Sequence, residues 1–495
     1  MGFHRVQIGG RTRLLLVLLA CAGCSVGPNF RPPQAEVPEN WPTVANAVRP
    51  QPEQSPAEAE LAQWWTQFKD PLLDKLITEA LAGNLTLKQA ELSILQARAN
   101  RGIAASSFWP QISKNSQYQY SRTPAKGANG NTLGKIAGFF QTGFDAAWEI
   151  DIFGGTRRNV EAATADIEAS IEDRRDVLVT LVAEVGSDYI AYRSFQSELQ
   201  IARTNLAGQQ KTADLTNQRF RGGIVTALDV ANSQAQVATT KAQIPVLETA
   251  AQQMSYSLAI LLGREPTALD AELKAGAPVP PPPPAIPVGL PSELLRRRPD
   301  IRRAEAQIHA ATARIGVAEA DLFPKLSLTG GGGFQGPKGP SLVTWANRFW
   351  NIGPAVNWQA FSGGRIRSNI KLQKTLEQES LLAYRQAVLT ALQDVDNALV
   401  AYAGEKEHHQ ALAEAVSANQ QAVDLSLKLY SEGKTDFLNV LTAQQALYLA
   451  QDALAQSDRN LSTDIVALYK ALGGGWSEAD LENPDRGTEQ KEDKK

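Results

Sequence analysis

The stretch RFRGGIVTALDVANSQAQ, residues 219–236, returns in altered form as LYSEGKTDFLNVLTAQQA, residues 429–446. A shift of 210 residues aligns the two copies without a gap. It pairs Phe220 with Tyr430, Gly223 with Gly433, Leu228 with Leu438, Val230 with Val440 and Gln234 with Gln444. Because this period is far longer than that of solenoid repeats, the alignment indicates a duplicated unit of domain size.

The duplication continues upstream, and a proline-rich linker separates the copies. ARANRGIAASSFWPQ, residues 97–111, aligns with ATARIGVAEADLFPK, residues 311–325, at a shift of 214. Between the copies runs PVPPPPPAIPVGLP, whose composition predicts a stiff, extended linker. We therefore expect a first repeat at 72–277, the linker at 278–291 and a second repeat at 292–476. The patterns at the two ends of the sequence add a signal peptide at 1–23, a lipidated N-terminal segment at 24–71 and a disordered charged tail at 477–495.

Long stretches of each repeat carry apolar residues at helical spacing. From Thr156 to about Phe220 there is no proline, and the matching stretch runs from about Arg365 to Tyr430. A helix of this length spans roughly 98 Å at 1.5 Å per residue, so it needs neighbours of equal length. Shorter helices are predicted at about 72–107, 226–262, 300–321 and 436–472.

Other stretches alternate between apolar and polar residues, as β-strands do. Residues 139–151, FFQTGFDAAWEID, place aromatic side chains on one face and Gln, Asp and Glu side chains on the other. Residues 350–360 alternate in the same way, residues 111–121 have one entirely polar face, and residues 325–334 alternate more weakly. This length and pattern are typical of outer-membrane strands. The alternative is a soluble sandwich with a half-buried sheet.

The strand and helix patterns both require an oligomer. Four strands cannot close a barrel, and an open sheet edge in lipid leaves backbone groups without partners at several kcal/mol each. Two chains would supply eight strands and three would supply twelve. The stripes of the long helices likewise need partners of equal length. The predicted object is a membrane β-barrel that continues into a long tube of helices.

The N-terminus has the pattern of a bacterial lipoprotein signal. Three arginines precede the apolar run Leu14–Ala20, which is too short to span a bilayer. The small residue Gly23 precedes Cys24, which we predict to be the acylated residue, with Cys21 as the alternative. A plain secretory signal with incidental cysteines is the other interpretation. Ser25 follows, rather than the Asp that favours inner-membrane retention.

The composition excludes several function classes. The net charge of −3 gives no basic footprint for nucleic acid, and no apolar run of 18 residues follows the signal, so no transmembrane helix is expected. The four histidines do not have the spacing of a metal site. The GGGG run at 330–333 lacks the lysine and helix start of a phosphate loop. With no arrangement of nucleophile and base, we expect neither an enzyme nor a cofactor.

Several motifs resemble those of the TolC-like outer-membrane factors of tripartite efflux pumps, in the NodT-type lipoprotein subgroup. The resemblance covers nearly the whole chain after the signal, and GLPSELLRRRPDIRRAEAQI at 289–308 is its most specific motif. The others are CSVGPNFRPP at 24–33, Trp109-Pro110 and Phe323-Pro324, and the GG pairs at 154–155 and 363–364. We interpret the GG pairs as sharp strand-to-helix exits and Arg296–Arg298 as a solvated or ion-paired helix start.

The resemblance implies a mainly helical fold with a membrane sheet. It implies a homotrimer with a twelve-stranded β-barrel in the outer membrane, four strands per chain, continuing into a periplasmic α-helical barrel with an equatorial region. It also implies two partners, a periplasmic adaptor protein and an inner-membrane pump. The function would be that of a passive, gated duct that exports drugs or other small molecules. A structural coiled-coil lipoprotein without transport is the alternative, although such a linker needs no alternating strands.

The two glycine turns are the expected periplasmic tips. Gly223 and Gly433 allow each long helix to reverse, and with Thr226 and Lys434 they would contact the adaptor. In the family, an Asp after the first tip and a Tyr before the second tie neighbouring helix pairs shut. Those positions hold Asp229 and Tyr430, with Asp436 as a further gate candidate, although an ordinary cap or surface pair is the alternative. The acidic residues that many relatives place after the second tip are here Asn439 and Thr442.

Overall fold

The computed structural model of the chain describes residues 25–39, 41, 58–122, 136–283, 289 and 291–477. The predicted signal peptide, Cys21, Cys24 and nearly all of the predicted charged tail lie outside the described residues. None of the described helices is long and apolar enough to cross a membrane.

Helices form most of the described structure. Two of them, α4 and α9, have 67 residues each, and α5 and α10 have 35 each. The bounds are α1 Glu58–Ala62, α2 Pro71–Gly83, α3 Leu85–Ser106, α4 Gly155–Arg221, α5 Ala227–Leu261, α6 Asp270–Leu273, α7 Pro291–Arg297, α8 Pro299–Ala320, α9 Arg365–Ser431 and α10 Phe437–Ala471, with short 3-10 helices at Trp64–Phe68, Pro266–Leu269 and Trp345–Asn347. The predicted ends of the four long helices lie within two residues of these bounds.

The prediction of one helix at 72–107 is wrong, because the chain breaks at Asn84. Its side-chain oxygen accepts a hydrogen bond from the Leu87 amide at 2.9 Å, and its amide group donates to the Leu261 carbonyl at 2.8 Å. Asn84 thereby starts α3 while it ties this junction to the end of α5. An amide side chain at the start of a helix satisfies a backbone donor that the helix itself leaves free.

Four antiparallel strands form one sheet in the order β1-β2-β3-β4. Their bounds are β1 Gln111–Arg122, β2 Ile136–Ile150, β3 Lys325–Gly336 and β4 Arg348–Asn357. Asn115 lies opposite Gly143, which lies opposite Gly333. The strand β4 ends three residues earlier than predicted. Trp358, just beyond it, donates its indole hydrogen to the Leu322 carbonyl at 3.1 Å.

The described residues divide into two compact units, and each repeat contributes to both. The first takes its residues from Met1–Gln34, Ser93–Ile171 and Arg303–Tyr384, and it contains the sheet. The second takes its residues from Ala35–Leu92, Glu172–Arg302 and Arg385–Lys495. Its core includes Trp64, whose ring stacks on that of Tyr469 with centroids 5.2 Å apart. Burial of such aromatic side chains is the main stabilising term of a core.

The paired glycines lie where strands give way to long helices, as predicted. Gly154 has a φ of +81° directly before α4, while Gly363 and Gly364 have φ values of +59° and +88° directly before α9. Residues with side chains rarely adopt this left-handed conformation. The glycines therefore allow the sharp change of direction at both exits.

Candidate functional site

The sheet has a polar face and an apolar face, and we use these two names below. The polar face carries Ser113, Asn115, Gln117, Gln141, Asp145, Glu149, Lys325, Ser327, Thr329, Gln335 and Asn351. The apolar face carries Ile112, Tyr118, Tyr120, Phe140, Phe144, Leu328, Phe334, Trp350, Ile352 and Val356. In the single chain Trp350 is 75% exposed and Ile112 is 71% exposed. An apolar surface of this kind needs a non-aqueous neighbour.

Hydrogen bonds between strands join polar side chains on both faces. On the polar face, Asn115 donates to the Asp145 carboxylate at 2.6 Å. On the apolar face, the hydroxyls of Ser116 and Thr142 lie 2.8 Å apart and satisfy one another. In lipid, a polar group without such a partner would cost several kcal/mol. The pairing therefore fits a face that meets lipid.

At the C-terminal ends of α4 and α9, Gly223 and Gly433 form two matching turns. Each glycine has a φ of +72°. In the first turn the Gly223 amide donates to the Phe220 carbonyl and the Ile224 amide to the Arg219 carbonyl, both at 2.9 Å. The second turn repeats this pattern, with the Lys434 amide donating to the Leu429 carbonyl at 2.8 Å. Both are Schellman caps, which end a helix by satisfying its last carbonyls.

The segments that follow the two turns begin their next helices, α5 and α10, in different ways. Thr226 and Asp229 form a capping box at the start of α5: the Thr226 hydroxyl accepts from the Asp229 amide at 3.3 Å, and the Asp229 carboxylate accepts from the Thr226 amide at 2.9 Å. Asp436 is the N-cap of α10, but its side chain makes no capping hydrogen bond. Instead Asn439 donates to the Thr435 hydroxyl at 2.8 Å. The first tip is therefore the more firmly capped.

Tyr430 is almost fully buried next to the second tip, with 1% of its surface exposed. Its hydroxyl donates to Thr216 at 3.2 Å, and its ring packs on Phe437 with centroids 5.7 Å apart. The Arg219 guanidinium lies 4.6 Å from the centre of the same ring and donates to the Tyr430 carbonyl. The helices α4 and α9 are thus tied together one turn before both tips.

A seam of polar pairs joins α4 to α10. Asn205 donates to Gln451 at 2.7 Å, and Gln444 donates to Thr212 at 3.0 Å. The two α4 residues are seven positions apart, as are the two α10 residues. This is the spacing of a coiled-coil seam, in which buried polar residues fix the register of the helices.

The structure gives the predicted gate residues separate partners within one chain. Asp229 is engaged by Thr226, and Tyr430 by Thr216 and Arg219. The bond between Asp229 and Tyr430 that would tie neighbouring helix pairs shut stays a prediction. Lys434 is exposed and pairs with Glu432 at 2.6 Å, so the tip residues predicted to meet an adaptor are accessible in the single chain.

No sequence pattern marks Arg219 and Thr216 as the residues that hold Tyr430. An arginine near a helix end is ordinary, and only the fold brings it to a tyrosine 211 positions away. Arg298, by contrast, was expected at an ion-paired helix start, and it contacts Asp300 at 2.7 Å and Asp394 at 2.9 Å.

The segment that follows the predicted lipidation site is held against the strand-to-helix exit. Arg158 donates to the carbonyls of Val26 and Gly27 and to the Asn29 side chain, at 3.1, 3.3 and 2.7 Å. A Cβ added to Gly154 would lie 2.6 Å from the Ser25 hydroxyl. Residue 25 is therefore fixed beside the turn between β2 and α4.

Both halves of the chain match one family model, described as outer membrane efflux protein, over residues 76–264 and 290–474. The chain belongs to this family. A toluene efflux pump outer membrane protein, TtgF of Pseudomonas putida, is 32% identical over 473 residues, which cover 94% of this chain and 97% of that protein. Nodulation protein T of Rhizobium leguminosarum bv. trifolii is 30% identical, with 93% and 96% covered. The outer-membrane channel OprN superposes with a TM-score of 0.85 at 35% identity, covering 92% of this chain and all of that one.

These findings confirm the resemblance seen in the sequence. This outer membrane efflux protein has the predicted fold class, the predicted location in the outer membrane and the predicted role as the outer-membrane component of an efflux system. Members of this family form the ducts of efflux systems. Within the described part of the chain, no group of three or more His, Cys, Asp or Glu side chains is arranged to hold a metal ion.

Proposed function

We propose that three copies of the chain form a gated duct, anchored in the outer membrane, through which an inner-membrane pump and a periplasmic adaptor export drugs or other small molecules. The observation that carries this proposal is the two-faced sheet with β1 and β4 at its open edges. In lipid, the backbone groups of an open edge would lack partners. Pairing β4 of one chain with β1 of the next removes every edge.

The number of chains follows from the need for a lumen. Two chains of four strands would form an eight-stranded barrel, whose interior is about filled by its own side chains. Three chains supply twelve strands and leave an open passage. The polar face, with its glycines and small side chains, would line that passage, and the apolar face would meet lipid.

The anchor proposal rests on the position of Ser25. Because this residue is fixed beside Gly154, in the turn between β2 and α4, an acyl chain on the preceding Cys24 would start close to the level where the membrane strands end. The lipid would then enter the inner leaflet of the same membrane as the sheet. The domain limits predicted from the sequence remain part of this proposal, with the six segments given above.

The two glycine tips are the proposed contact for the adaptor, and the residues above them form the proposed gate. The tips are exposed, and one turn above the second tip Tyr430 lies in a polar and aromatic cluster that a small helix movement can break. In the trimer, Asp229 and Asp436 would narrow the entrance, and Tyr430 would act from its buried position as part of the latch. A phenol that donates to a carboxylate is a charge-assisted bond, suited to a latch between neighbouring helix pairs.

Ion conductance in a planar bilayer tests the duct. The purified protein should form single channels of uniform conductance, whereas a structural coiled-coil lipoprotein without transport would form none. Bulky substitutions such as Gly223→Val or Gly433→Val should leave the channel and its assembly intact but weaken drug resistance in cells, because they strain the tip backbone. Gly404→Val, in the middle of α9, is the matched control for a glycine away from the tips.

A further inference from the structure

The polar face of the sheet has a charge imbalance at one level. Among its described residues, the charged side chains are Asp145, Glu149 and Lys325. Glu149 and Lys325 lie 3.8 Å apart, and Lys325 also lies 3.2 Å from Asp321. Asp145 accepts from the neutral amide of Asn115 and has no cation among its described partners. Its negative charge is therefore not offset.

The neighbouring strand leaves the Asp145 carboxylate uncovered. Opposite it in β3 lies Gly331, in the middle of the four-glycine run. A Cβ on Gly331 would lie 2.9 Å from Asp145 Oδ1 and 3.1 Å from Asn351 Oδ1. The absence of a side chain there makes room for two acceptor oxygens on one level of the wall. The run therefore keeps the carboxylate open to solvent.

We propose that Asp145 sets the charge selectivity of the duct. Three copies of its carboxylate would form an acidic ring at one level of the lumen, which favours cationic solutes and disfavours anionic ones. This inference rests on the proposed trimeric barrel, because only closure by three chains places three carboxylates around one axis. It adds a selectivity residue in the membrane strands, distinct from the gate at the tips.

The size of the effect follows from the width of the barrel. Twelve strands about 4.8 Å apart and tilted by about 40° give a backbone diameter of about 24 Å. A carboxylate that reaches about 3 Å inward then lies about 9 Å from the axis. With Coulomb's law in water and a screening length of about 8 Å at 0.15 M salt, three such charges enrich monovalent cations over anions about fivefold. At 1 M salt the screening length is about 3 Å and the enrichment falls to about 1.3-fold.

Reversal potentials in planar bilayers test the proposal, under KCl gradients centred near 0.15 M and near 1 M. Asp145→Asn keeps the size of the side chain, and it should lower the ratio of K⁺ to Cl⁻ permeability about fivefold near 0.15 M and by less than about 1.5-fold near 1 M. Asp145→Lys should make the channel prefer Cl⁻ near 0.15 M. Asn351→Ala, a neutral change at the same level, should leave the ratio unchanged and is the matched control.

Three outcomes would contradict the proposal, and they differ in what they reject. If the parent conducts and Asp145→Asn and Asp145→Lys both keep its permeability ratio at the lower salt, Asp145 does not set selectivity, while the duct itself stands. If the parent forms no conducting pore, the proposed duct is wrong and the selectivity ring is wrong with it. An equal shift in Asn351→Ala would assign the effect to the shape of the wall rather than to its charge.

Discussion

Replacing Gly333 by alanine should disrupt the membrane sheet, although neighbouring glycines of the same strand should tolerate the change. A Cβ on Gly333 would lie 2.5 Å from the Gly143 Cα and would also overlap the Thr142 carbonyl oxygen. The corresponding Cβ would lie 3.6 Å from its nearest atom at Gly330 and 3.7 Å at Gly332. Gly330 and Gly332, on the apolar face, therefore have room for a Cβ, and Gly333, on the polar face, does not.

The energetic cost follows from the displacement that alanine requires. Moving from 2.5 Å to an ordinary contact of 3.4 Å separates β2 and β3 locally by about 0.9 Å. A hydrogen bond of about 2.9 Å stretched by this amount is lost. Loss of about two ladder bonds at about 1 kcal/mol each, with about 1–3 kcal/mol of overpacking, gives about 3–5 kcal/mol. This corresponds to a shift of more than about a hundredfold in the folding equilibrium.

Folded barrels resist SDS until they are heated, so the assay is the fraction of outer-membrane protein that runs as the folded form on unheated gels. Gly333→Ala should lose most of this fraction, whereas Gly330→Ala and Gly332→Ala should match the parent. If Gly333→Ala keeps the folded fraction of the parent, then β2 and β3 do not pair as described. If all three variants lose it equally, the strand tolerates no alanine, and close approach at Gly333 is not the cause.

Three further predictions concern the anchor, the gate and a half-buried carboxyl. Cys24→Ser should abolish labelling with palmitate yet leave the protein in the outer membrane; retained label would contradict the anchor. Asp229→Ala combined with Tyr430→Phe should raise single-channel conductance without loss of assembly, since it removes interactions of about 1 kcal/mol each; a conductance equal to that of the parent would rule out the latch. Burial, together with Glu405, raises the pKa of Asp464 from 3.8 to about 6, so its ionisation destabilises the fold above about pH 6 and not below about pH 4. Asp464→Asn should therefore raise the unfolding temperature at pH 7.5 and leave it unchanged at pH 4.

The sequence predicts the long helices because their signals are local. A stretch of about 65 residues with helical periodicity and no proline has few other conformations, and α4 and α9 extend almost as expected. The helix α5 also forms as predicted, although it contains Pro245. The signal that assigns side chains to the two faces of a strand is equally local, since alternation alone decides which side chains share a face. These features require no knowledge of distant residues.

The errors and omissions of the sequence-based predictions arise where a residue contacts a distant part of the chain. Asn84 breaks a predicted helix because its side chain reaches Leu261, 177 positions later. Arg219 holds Tyr430 from a different repeat. Gly333 is required because Gly143 approaches it from β2. No local pattern marks these pairs, so the arrangement around the gate and the order of the strands could not be predicted from the sequence.

The same limit explains the four-glycine run. From the sequence alone, the run shows only that it is not a phosphate loop, because the lysine and the helix start of such a loop are missing. In the structure it forms the middle of β3, where Gly333 permits close approach and Gly331 leaves Asp145 uncovered. Both roles depend on β2, which ends 175 positions before Lys325, the first residue of β3.

The central claim is that three chains close one barrel, and the mass of the native assembly in mild detergent tests it most directly. Each chain contributes a four-stranded sheet with two open edges, so closure with an open lumen requires three copies. Native mass spectrometry of the protein extracted from outer membranes should show a single species of three chains. A stable monomer or dimer with an SDS-resistant, folded sheet would contradict the account.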